Sequence, residues 1–174
     1  MTVIRQEDLI QSVADALQYI SYYHPLDFIQ AVNEAYEREE SPAAKDAMAQ
    51  ILINSRLCAE GKRPICQDTG IVTVFLKIGM KVQWEAGPGV KELSVADMVN
   101  EGVRRAYLNP DNVLRASILS DPAGARKNTK DNTPAVIHME VVPGDELEVT
   151  VAAKGGGSEN KAKLVMLNPS DSIV

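Results

Sequence analysis

The sequence is poor in the residues that most readily signal a chemistry. It has two cysteines, Cys58 and Cys66, in 174 residues. That is too few for a disulfide scaffold and makes a reduced, cytoplasmic setting the expected one. The two histidines, His24 and His138, stand at no zinc-ligand spacing from either cysteine. No long basic run occurs and the formal net charge is −6, which argues against nucleic acid or an anionic membrane as the main partner. No apolar stretch approaches the roughly 20 residues that a membrane span needs. Residues 1–8 lack the basic-then-apolar order of a secretory signal. Internal repeats and low-complexity segments are also missing.

What is present is ordinary for a globular domain: 45% hydrophobic and 24% charged residues, in a chain long enough to bury its own core. Leu9, Ile10, Val13, Leu17 and Ile20 recur at helical spacing, so residues 7–21 read as an amphipathic helix. Pro25 suits a first helical turn, followed by a stripe of Leu26, Ile29, Val32 and Tyr36; His24 reads as a boundary residue before it. Ser41-Pro42 opens a third helix as N-cap and N1, carried by Ala44, Ala47, Met48, Ile51, Leu52 and Ser55 and ended by Gly61. Cys58 falls on that face and reads as a core thiol. Ser94 with Asp97 resembles a capping box for a helix over about 95–107, on which Arg104 and Arg105 read as a solvated face.

Strand signals follow each helical block. Ile71 to Ile78 alternate, with Val72, Val74, Leu76 and Ile78 on one side, and Val82 to Glu85 suggests a hairpin partner or a kinked continuation. Val113 to Leu119 reads as a strand with Arg115 inside an apolar run, and Asp121 to Asn132 as an exposed loop. Ala135 to Val142 and Glu146 to Ala153 both alternate around Pro143-Gly144-Asp145 and predict a hairpin. Lys163 to Leu167 can form a further short strand. The expected class is α+β: three N-terminal helices, then a mixed or antiparallel sheet with one intervening helix.

The loop Arg63-Pro64-Ile65-Cys66-Gln67-Asp68-Thr69-Gly70 places a thiol, an amide, a carboxylate and a hydroxyl in consecutive positions before a strand. Packing gains little from such a cluster, because each group needs a partner or water. A second polar concentration is Lys154-Gly155-Gly156-Gly157-Ser158-Glu159-Asn160-Lys161, where three glycines leave bare amides open to a ligand. Two nucleotide readings of this run fail on spacing: Asn160 precedes Lys161 where a Walker loop needs Gly-Lys followed by Ser or Thr, and Asn160 stands where a dinucleotide fingerprint needs its third glycine. An anion cradle for a carboxylate remains open, as does Arg115 as either a bidentate carboxylate fork or an edge-strand surface charge. Cys66 has no sequence-placed base to make it a hydrolytic nucleophile, and alone it cannot hold a metal.

Taken together, Arg63 to Gly70, Asn112-Val113-Leu114-Arg115, Asn132-Thr133-Pro134-Ala135 and Lys154 to Lys161 resemble, in order and spacing, the class I fumarate hydratases. These are iron–sulfur hydro-lyases that include L(+)-tartrate dehydratase. The resemblance covers nearly the whole chain and implies a hydro-lyase of the tricarboxylic acid cycle, with a [4Fe–4S] cluster held by three cysteines. Cys66 matches the first cluster cysteine. Gln67 and Asp68 match residues that contact the dicarboxylate, the aspartate also being tied to proton transfer. Arg115 matches an arginine that grips a carboxylate, and Gly157 is expected to offer its backbone amide. The implied reaction is reversible hydration of fumarate to L-malate, with tartrate dehydration as the near competitor.

The resemblance also implies that the other two cluster cysteines and a C-terminal domain lie beyond Val174, and Cys58 is at no family ligand position. Residues 1–174 are thus expected to be a truncated, N-terminal part of the cluster-binding domain, inactive alone. The expected partners are the dicarboxylate, the rest of the enzyme and a second copy in a homodimer. The alternative from another class is a non-catalytic subunit-interaction module of the same fold.

Overall fold

The computed structural model describes residues 1–122, 124–156 and 164–171. In chain order the elements are β1 (Thr2–Arg5), α1 (Gln6–Tyr22), α2 (Leu26–Arg38), α3 (Pro42–Gly61), β2 (Ile71–Gly79), β3 (Val82–Glu85), α4 (Val95–Tyr107), β4 (Val136–Val142) and β5 (Leu147–Lys154). The class is α+β with a mixed sheet, as the sequence predicts. Ser94 caps α4 as expected: the Asp97 backbone N–H donates to Ser94 Oγ at 3.1 Å, and the hydroxyl donates back to the Asp97 carboxylate at 2.7 Å. At the end of α3 the left-handed residue is Lys62 (φ 47°), one position after the glycine expected to stop the helix.

The central sheet has the order β4-β2-β5, with β2 parallel to β4 and antiparallel to β5. This corrects the expected hairpin. β4 and β5 are both strands, but they flank β2 instead of pairing with each other. Alternation reports which face of a strand is buried, not which strand lies beside it. A β4–β5 hairpin would leave an unpaired edge on β2, whereas the central position pairs both edges. The connection 143–146 is tied to the end of β2: the N–H groups of Gly79, Met80 and Lys81 donate to the carbonyls of Glu146, Val142 and Gly144.

β3 does not fold back on β2 either. It pairs in parallel with β1, Thr2 opposite Val82 through Arg5 opposite Glu85. The β-branched run Thr2-Val3-Ile4 favours that N-terminal strand. The segment 113–119 is irregular, with one isolated bridge between Leu119 and Asn128. Its backbone groups are taken by other partners: Asn132 Oδ1 accepts from Ser117 N, Asn128 Nδ2 donates to Ala116 O, and Thr129 N donates to Ile118 O. Residues 164–167 form no strand, and Lys163 lies outside the described residues.

The core lies between the inner face of the sheet (Val72, Val74, Leu76) and the packed pair α1 and α4, which contribute Leu9, Val13, Leu17, Met98, Val99 and Val103. Gly102 permits that pairing, because a Cβ there would stand 2.6 Å from Ile10 O and 2.8 Å from Val13 Cβ. Arg104 and Arg105 are not merely solvated. Arg104 pairs with Glu101 and Asp131, and Arg105 with Glu7 and Glu101, fastening α4 to α1 and to the 131 turn. Among the described residues no helix is long and apolar enough to cross a membrane.

Candidate active site

The Cys66–Gly70 loop joins α3 to β2 and is tied at both ends. On the α3 side, Ile65 N–H donates to Ser21 O at 2.8 Å, Asn54 Nδ2 donates to Ile65 O, and the buried Cys58 thiol lies 3.7 Å from Pro64 O. On the β2 side, Gly70 takes φ +84°, and a Cβ there would stand 2.9 Å from the backbone of Ala153 and Lys154. Only glycine lets the loop enter the sheet that close to the end of β5.

Cys66, Gln67, Asp68 and Arg115 line one open cleft of ≈ 760 Å³, together with Ser117, Ile118 and Arg126, and Gly156 at its edge. Four of the five site residues expected from the sequence are therefore brought together, although 47 positions of chain separate Asp68 from Arg115. The fifth, Gly157, lies outside the described residues. Arg115 sits in the irregular segment, not in an edge strand. Among the described residues neither Arg115 nor Arg126 has a carboxylate partner. Arg126 carries no site signal in the sequence, where it falls within the polar run Asp121 to Asn132. Two guanidiniums on one cleft suit an anionic ligand.

Neither histidine lines the cleft. His24 Nδ1 lies 3.0 Å from Ser55 Oγ and its ring stacks on Phe28; burial pushes its pKa down. His138 stacks on Phe75 at 4.9 Å.

The two thiols differ in kind. Cys66 is exposed, and the Asp68 backbone N–H approaches its sulfur at 3.5 Å. Cys58 is buried and placed to donate to Asn54 Oδ1 and Pro64 O. Among the described residues no group of three or more His, Cys, Asp or Glu could hold a metal ion. The donor set seen here fits one corner of an iron–sulfur cluster through Cys66 and no more.

Behind the loop stand three polar residues not assigned a role from the sequence. Tyr107, 1% exposed, donates its hydroxyl to Thr69 O at 2.7 Å and lies 3.3 Å from Gly70 O. Burial, above all, pushes its pKa up to about 12; the contact with Thr69 opposes this and the Asp68 charge adds to it. Asn132, 0% exposed, donates Nδ2 to Gly70 O at 3.1 Å, a correction to its expected place in an exposed loop. Thr69 Oγ1 donates to Arg115 O at 2.7 Å. The signal for Tyr107 was available: it stands four residues after Val103 on the apolar face of α4, and a buried tyrosine needs a partner.

The cleft joins one exposed thiol, an amide, a carboxylate and two guanidiniums that have no carboxylate partner among the described residues. The family model described as fumarate hydratase (Fumerase) matches residues 10–174, and the chain belongs to that family. It is 32% identical over 166 residues to a putative L(+)-tartrate dehydratase subunit alpha of Methanocaldococcus jannaschii, covering 92% of this chain and 55% of that protein. It is 36% identical over 129 residues to the anaerobic class I fumarate hydratase of Escherichia coli K12, covering 74% of this chain and 22% of the relative. To fumarate hydratase 2 of Leishmania major it is 31% identical over 160 residues, 88% of this chain and 27% of the relative. The chain thus spans about half the length of the archaeal relative and about a quarter of the other two.

Proposed function

We propose that this chain is the N-terminal part of the cluster-binding domain of an iron–sulfur hydro-lyase that reversibly hydrates fumarate to L-malate. The observation that carries the reading is the convergence of Cys66, Gln67, Asp68 and Arg115 on one cleft. Family membership and the names of the relatives supply the reaction class. L(+)-tartrate dehydration is the second reading, favoured by the archaeal alpha subunit, which matches over most of this chain.

Cys66 is the residue of this chain that would hold a [4Fe–4S] cluster, and its other thiolates must come from outside the described residues. When bound, the cluster would supply an open iron acting as a Lewis acid on the departing hydroxyl. Arg115 pairs with one substrate carboxylate and fixes its plane by a two-point contact. Gln67 donates its amide to the dicarboxylate, and Gly157 adds a backbone N–H. Asp68 takes the proton from the carbon next to the hydroxyl-bearing one and returns it in the reverse direction. Proton and hydroxide together leave as water, and the double bond remains on the dicarboxylate. Negative charge building on the carboxylate during proton loss is met by Arg115 and the N–H donors.

The same reading places the protein in the cytoplasm, supported by two unpaired thiols. It makes the rest of the enzyme and a second copy the partners; a separate alpha subunit among the relatives supports the first of these. The deciding experiment is anaerobic reconstitution of the native enzyme containing this chain, then assays with fumarate, L-malate and L(+)-tartrate side by side. Turnover of fumarate and malate is expected. Turnover of tartrate alone would favour the second reading, and inactivity on all three would overturn both.

A further inference from the structure

The loop that carries Cys66, Gln67 and Asp68 borders a gap in the packing. A cavity of ≈ 110 Å³ lies beneath it, lined in part by Leu17, Ile20, Thr69, Tyr107 and Leu114. The loop's C-terminal end also receives directional bonds from buried groups. The Gly70 carbonyl receives Asn132 Nδ2 and faces the Tyr107 hydroxyl, which also bonds Thr69 O. The same groups reach the segment carrying Arg115: Asn132 Oδ1 accepts from Ser117 N–H at 2.8 Å, and Thr69 Oγ1 donates to Arg115 O at 2.7 Å. Asn132 therefore bridges both site segments from a fully buried position, and Thr69 bridges them directly.

We propose that Thr69, Tyr107 and Asn132 are positioning residues that hold the Cys66–Asp68 loop and the Arg115 backbone at one fixed separation, so that the carboxylate handling the proton and the guanidinium gripping the substrate act on a single small ligand. The role of the ligand rests on the hydro-lyase reading; the coupling of the two segments does not. Groups that must meet one substrate tolerate little relative displacement, because a shift near 1 Å costs roughly a hundredfold in rate. Thr69 is the most informative member. It is only partly buried, so replacing its hydroxyl with a methyl removes the Arg115 link while conserving shape.

Thr69→Val and Thr69→Ser are compared in the native enzyme, with Tyr107→Phe examined by hydrogen exchange in the chain itself. Thr69→Val should lower kcat/KM for the dicarboxylate at least about tenfold with Tm nearly unchanged, and Thr69→Ser should recover most of it. Tyr107→Phe should speed amide exchange in 66–70 and at Ser117 while the core amides of α1 and α4 keep their wild-type rates. Equal impairment of the valine and serine variants, or unchanged kinetics in both, would overturn the proposal. Uniform acceleration of exchange would do so too, since it marks general destabilisation. If the wild type turns over no dicarboxylate, the hydro-lyase reading fails by itself and the exchange pattern alone decides the coupling.

Discussion

The chain contains two helical regions whose apolar residues meet opposite fates. In α1 and α4 the stripe is covered: Leu9, Val13, Leu17, Val99 and Val103 are buried against each other and the sheet. In α2 no residue is buried, and α3 buries only Ser55 and Cys58. Leu26 is 71% exposed and Leu57 56%. An apolar stripe thus shows that a surface requires cover without showing that the same chain supplies it. The site loop runs between these regions. Its first half is tied to α1 and α3 through Ser21, Asn54 and Cys58, and its second half to the well-packed body through Tyr107 and Asn132.

That contrast can be broken by mutation. The largest expected effect is in the body: Leu17→Ala should cost about 2–5 kcal/mol in urea unfolding, the usual cost of a core cavity. A loss under 1 kcal/mol would mean that the α1–α4 pairing is looser than its burial implies. Next comes Arg115→Ala in the native enzyme, expected to weaken dicarboxylate binding by roughly 1.5–3 kcal/mol, as loss of a hydrogen bond to a charged group does; unchanged KM and kcat would return Arg115 to the surface.

Tyr107 gives a pH-dependent effect of similar size. Its folded pKa, about 12, lies above the ordinary value of 10.0, so the folded state holds its proton more tightly than the unfolded state. The stability this contributes is full below pH 10 and is lost as pH rises toward 12. Two pH units correspond to about 2–3 kcal/mol. The stability gap between wild type and Tyr107→Phe should therefore shrink across that window, and a constant gap would contradict the assignment. The smallest effect belongs to α3: Leu57→Ser should change stability by at most about 0.5 kcal/mol. A core-sized loss there would mean that this face of α3 is packed after all.

Much of this was legible in the sequence. The helices over residues 6–22, 42–61 and 95–107 follow from apolar spacing and caps, and the Cys66-Gln67-Asp68 cluster and Arg115 from their residue types and co-ordered motifs. Strand neighbours were not legible. The alternation in 135–153 fixes which side chains face inward, but β2 was free to insert between the two strands. The segment 113–119 reads as a strand by propensity; its carbonyls and amides are instead met by Thr69, Asn128, Thr129 and Asn132 from loops distant in sequence. Asn132 escaped notice for the same reason. Its polar flanks suggest solvent, and only the tertiary fold places it beneath Gly70.

The central claim is that Cys66 is the iron ligand of this site while the equally present Cys58 is structural. The most direct measurement is the anaerobic iron–sulfur absorbance of the native enzyme carrying Cys66→Ser, with Cys58→Ser as its counterpart. Loss of the absorbance in the first variant and its retention in the second are predicted; a cluster that survives Cys66→Ser would contradict the account.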